Sequence, residues 1–243
     1  MKNPLRPNIL PWFTMGAGGL GLVLQLWLFG GIDEKGLLPA THPATTLSFV
    51  LTALVLAVLF LCTRPLSSIA KYNRLYPASI GRGAGCIAAA AGIVYGGLKH
   101  MNSLEGGMGL LTFIVSIAAA ICMVILAYFR LKGIRPAMAL HTVLTVFLML
   151  FLVCNCRIWG SEPQIEAYIF PLFAGVFLML SAYYTTVLDV RKGSRARLVF
   201  LNQAALYFCC LSLTGKNRFF YLAMVIYLAL DLCSTSRNLP EEA

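Results

Sequence analysis

Read from one end to the other, the chain alternates between long apolar runs and short connectors that hold nearly all of its charge. The hydrocarbon core of a bilayer, about 30 Å thick, is crossed by roughly 20 helical residues, with a working range of about 17–25. The pattern predicts eight spans, at about 9–31, 45–63, 83–98, 107–129, 137–156, 168–188, 198–214 and 219–233. The first, second, fourth, fifth and sixth runs are long and almost free of charge. The third is short and rich in Gly and Ala. Only residues 215–218 separate the last two, which read as a tight helical hairpin. No connector is long enough to fold as a separate domain. The expected architecture is all-α: one polytopic membrane bundle of about eight helices.

Composition removes the alternatives. Hydrophobic types make up 59% of the 243 residues and charged types 12%, with a mean hydropathy of +0.81. That charged share is about half of what a globular protein carries, too little to cover a water-facing surface. Disordered chains are poor in apolar residues, so disorder is excluded as well. The first run is longer than a signal-peptide core, and no Ala-x-Ala-like site follows it. It is expected to stay in the chain.

The net charge of +10 has a direction. With the amino terminus in the cytosol, fourteen of the nineteen Lys and Arg residues fall on the inner side, from Lys2 and Arg6 through Arg64, Arg82, Arg130 and Arg135 to Arg195, Arg197 and Arg237. Five fall outside: Lys35, Lys99, Arg157, Lys216 and Arg218. Basic residues in short loops favour the cytosolic side, so both termini are expected there. Each such residue near an anionic leaflet contributes about 1 kcal/mol of attraction. The lipid bilayer therefore accounts for the basic balance, and no nucleic acid is expected as a partner. Short loops and this bias suggest a bacterial plasma membrane. The mixed loop 64–80, with Lys71, Tyr72, Arg74 and Tyr76, reads as a headgroup-contacting segment.

In lipid, helices associate through close packing and a few polar contacts. The third span carries two GxxxG pairs, Gly81/Gly85 and Gly92/Gly96, with Ala84 and Ala88 on the same small-residue face. It reads as a central helix, with the glycines between Met15 and Gly21 of the first span as its partner. The eight cysteines all fall within spans or at their ends and form no C-x-x-C pair, so they read as small apolar residues. His42 and His100 fall in outer loops, which leaves His141 as the one histidine within a span. No metal site and no cofactor are expected.

Polar residues within a membrane are costly and frequently functional. Several reach similar depth near the inner side: His141 and Thr145 on the fifth span, Tyr184 and Thr185 on the sixth, Asn202 and Gln203 on the seventh, and Tyr227 and Asp231 on the eighth. Together they predict a cytosol-facing polar pocket for a small polar or amphipathic ligand, with His141 and Asp231 as its titratable pair. A small-molecule permease, or the membrane subunit of a transporter, is the function this best suits. The alternative is a non-catalytic scaffold or sensor subunit that docks a cytosolic or membrane partner on basic loops near 130–135 and 191–197. A lipid- or isoprenoid-acting enzyme using His141 ranks last, because that histidine has no placed partner.

Overall fold

The computed structural model describes residues 9–31, 42–66, 78–104, 107–160, 168–189 and 194–237. Among them are eight α-helices: α1 (Leu10–Gly30), α2 (Pro43–Thr63), α3 (Ile80–Ser103), α4 (Gly107–Lys132), α5 (Met138–Trp159), α6 (Ile169–Asp189), α7 (Arg195–Leu211) and α8 (Arg218–Arg237). Each expected span corresponds to one helix. A 3-10 turn, Ser212–Thr214, extends α7. Residues 67–77, most of the loop expected at the headgroups, lie outside the described residues, as do 191–193 of the second basic loop.

Local chemistry sets several helix ends. Pro43 opens α2, where its missing N–H is no loss, and His42 Nδ1 caps the turn by accepting the Ala44 N–H at 3.2 Å. Pro171 is tolerated in α6 because it lies in the first turn. Gly133 closes α4 with φ of +66°, a conformation that favours glycine. A Cβ there would also sit 3.1 Å from the Ala78 backbone nitrogen.

α3 and α8 depart most from the expected lengths. α3 begins before Gly83 and runs past Leu98, so Arg82, Lys99 and His100 are helical rather than parts of connectors. α8 likewise continues past Cys233 to Arg237. Charged residues at helix ends depress a hydropathy window without ending the helix.

The helices run up and down in alternation. Arg82 and Gly96 of α3 meet Asp231 and Phe220 of α8, so those two are antiparallel. Thr52 and Phe60 of α2 meet Tyr207 and Phe200 of α7 in the same sense. Gly18 and Gly21 of α1 meet Cys210 and Leu211 of α7, a parallel pair. The start of α1 and the end of α8 therefore share one end of the bundle, which also holds Arg82, His141 and Asp231. We call it the basic end.

Burial is distributed as lipid requires. Large apolar side chains are exposed along seven of the helices, among them Leu20, Leu54, Ile87, Ile121, Val146, Phe173 and Leu222. Polar groups point inward: Gln25, Ser48, Thr52, Ser116, Asn155, Ser181, Asn202 and Gln203 are all buried. Six of the helices, α1, α2 and α4 to α7, are long and apolar enough to cross a membrane. The two outside that set, α3 and α8, carry Arg82 and Asp231 and pack against each other.

The centre of the bundle is α7, not the glycine-rich α3. Residues Leu201–Leu211 are buried without interruption, whereas Ala84, Ile87 and Ala91 of α3 face outward. The α3 glycines still serve close approach, but their partners are α8 and α4, not α1. A Cβ on Gly92 would collide with that of Ala223, and one on Gly97 with the Ser116 hydroxyl. Substitution Gly92→Leu is expected to cost about 1–3 kcal/mol by overpacking, visible as a lower unfolding temperature in detergent. The glycines of α1 fit α7 instead, where a Cβ on Gly18 would stand 2.9 Å from that of Cys210.

Candidate functional site

Four helices deliver buried charge or imidazole to the basic end. Arg82 projects from the first turn of α3, Arg130 from the last turn of α4, His141 from the first turn of α5 and Asp231 from the carboxyl-terminal half of α8. All four are buried. Arg82 Nε stands 3.3 Å from Asp231 Oδ1, with the two side chains 1% and 6% exposed. Cys86, one turn along α3, lies within electrostatic reach of Arg82, Arg130 and Asp231, and Arg130 within reach of His141.

Burying such groups is costly, and an ion pair offsets that cost only when its geometry is good. Ionisable groups placed within a membrane mark functional sites by default.

Beside the charged group, eleven residues of α4, α5, α6 and α8 enclose a cavity of about 10 Å³. Its polar lining is His141, Ser181, Thr185 and Tyr227, and Met123, Leu144, Leu178 and Met224 supply much of the rest. That volume is about what one water occupies. Among the described residues, His141 Nε2 is buried without a hydrogen-bond partner.

The other expected site residues are placed around this cavity in different ways. Asn202 reaches it indirectly, accepting a hydrogen bond from the Ser181 hydroxyl. Thr185 lines it while donating to its own helix at Ser181 O, 2.9 Å away. Thr145 does not line it and donates to His141 O at 2.9 Å. Tyr184 is half-buried and accepts from Arg197 Nη1 at 3.4 Å, towards the outside of the bundle. Gln203 is fully buried in α7, with its Oε1 unpartnered among the described residues. The expected titratable pair is not what the structure shows: Asp231 pairs with Arg82.

Sequence reasoning assigned Arg82 and Arg130 to inner loops, and the structure buries both. Their signal was available only in three dimensions, because each sits at a helix end where arginine ordinarily reaches water. His100 is also buried, not in a loop. Its Nε2 lies 3.3 Å from Asn155 Oδ1, which also accepts from Asn217 Nδ2 at 2.8 Å. This second polar knot ties α3, α5 and the turn before α8 at the opposite end.

Elsewhere the polar contacts act as glue. The hydroxyls of Thr52 and Tyr207 share a 3.0 Å hydrogen bond between α2 and α7. Such contacts contribute about 0.6 kcal/mol on average, so Tyr207→Phe is expected to shift thermal unfolding by only about that much. The eight cysteines are free thiols. Among the described residues no three His, Cys, Asp or Glu side chains converge as a metal site would.

Fold and burial together define a multi-pass integral membrane protein with a charged core at one end. Comparison with family models, with curated proteins and with solved structures finds no match to the chain.

Proposed function

We propose that the protein is a permease, or the membrane subunit of a transporter, for a small polar or amphipathic solute. Its binding chamber lies at the basic end, on the cytosolic side of a bacterial plasma membrane. The single observation that carries this reading is the buried Arg82–Asp231 pair at the same end of the bundle as a cavity lined by His141, whose Nε2 has no hydrogen-bond partner among the described residues. Charge placed so deep in a membrane bundle marks a functional site. A chamber of about 10 Å³ is an occluded state. Solute entry then requires α5 and α6 to part from α8, opening the cavity lined by His141, Thr185 and Tyr227.

A bound solute stabilises the state it binds, by about 2.7 kcal/mol at a hundred times its Kd. Thermal unfolding in detergent with amino acids, sugars, organic amines and carboxylates is expected to single out one class. The same class should then enter proteoliposomes containing the protein. A second reading, a scaffold docking a cytosolic partner, is favoured by the small size of the chamber and by exposed Lys132, Arg135 and Arg197. It stands if no solute class stabilises the protein and a soluble protein co-purifies in fixed stoichiometry.

A further inference from the structure

A second polar-lined cavity lies at the other end, far along α5 and α8 from His141 and Asp231. It measures about 150 Å³, and five rings contribute to its wall: Phe29, Trp159, Tyr168, Phe170 and Tyr221. Trp159 and Tyr168 stack with centroids 5.3 Å apart and planes 16° from parallel, giving the cavity one flat side. A dry cavity of about this volume holds benzene.

The polar lining narrows the ligand further. Gln25 Nε2 donates to Ser48 Oγ at 3.2 Å, and Asn217 Nδ2 donates to Asn155 Oδ1 at 2.8 Å. The Tyr221 hydroxyl donates to Pro171 O at 3.3 Å, and that of Thr214 to Leu211 O at 3.5 Å. Each side chain thus commits one donor to the protein and keeps oxygen lone pairs for a ligand, and Gln25 and Asn217 each keep a second N–H. A neutral O–H can donate to these oxygens and accept from an amide N–H at once, whereas a carboxylate has no proton to donate. A cation would meet Lys216 in the wall and Lys99, which donates to the Lys216 carbonyl.

We propose that this cavity is a binding site for a neutral single-ring molecule carrying an O–H or N–H donor, of the phenol class. The ring slides against the Trp159–Tyr168 wall and its donor points to the Gln25 and Asn217 amide oxygens. The site is independent of the chamber at the basic end, and neither stands or falls with the other.

The test is fluorine NMR of 4-fluorophenol, 4-fluorobenzoate and 4-fluorobenzylammonium with the full chain in detergent, against empty detergent at equal concentration. The expected result is saturable binding of 4-fluorophenol alone. Binding should weaken about tenfold in Trp159→Ala and about fivefold in Gln25→Leu. Tyr168→Ala, on a different helix, replaces Trp159→Ala should that variant fail to fold. Signal that rises linearly with detergent, saturable binding unchanged by these variants, or tighter binding of either charged probe overturns the proposal.

Discussion

Replacing Asp231 by Leu is expected to destabilise the bundle by about 3–5 kcal/mol, because it removes the carboxylate paired with a buried guanidinium. Arg82→Met should cost a comparable amount by removing the guanidinium paired with the buried carboxylate. The double variant Arg82→Met/Asp231→Leu is then expected to recover most of the loss, since apolar side chains of similar volume remove both desolvation costs at once. The three variants and the wild type form a double-mutant cycle, read as unfolding temperatures of the detergent-solubilised protein. Strong positive coupling places the 3.3 Å contact at the core of the basic end. Additive losses would show that the two groups fold independently. On the permease reading the double variant is stable yet inactive, which separates the role of the pair from its contribution to folding.

His141→Leu has the opposite profile. The imidazole Nε2 makes no hydrogen bond among the described residues, so its removal breaks none there. Taking an unpartnered polar atom out of a buried site is neutral or stabilising, and leucine suits the apolar side chains that share the cavity. Thermal stability should stay within about 1 kcal/mol of wild type. Uptake into proteoliposomes, by contrast, should fall at least about a hundredfold, on the order of 2.7 kcal/mol. A loss of more than about 2 kcal/mol in stability, beyond the usual range for a surface-like change, would make the histidine a structural contact instead.

These contrasts follow from where the residues lie, and only part of that was legible in one dimension. Helix number and approximate extent were readable because runs such as 107–129 and 137–156 are apolar for the full thickness of a bilayer. Asp231 and His141 stood out for the same reason, as ionisable groups inside apolar runs. Arg82 and Arg130 did not, because an arginine at a helix end reads as a solvated anchor until its neighbours are known. The choice of central helix failed on a related point. Small residues mark where helices approach closely, and α3 does approach α4 and α8, but they do not mark the middle of the bundle. That place belongs to α7, whose Asn202, Gln203 and Tyr207 are too polar to face lipid. The cavity near Trp159 was invisible in sequence, since its walls come from four separate stretches of chain.

The account depends on an even number of crossings that leave the Arg82–Asp231 end in the cytosol. The direct measurement is protease protection of epitope tags placed at residues 1 and 243, in right-side-out vesicles and in inverted ones. Both tags should be cleaved only in inverted vesicles. Cleavage of one tag in each orientation, or of both in right-side-out vesicles, would contradict it.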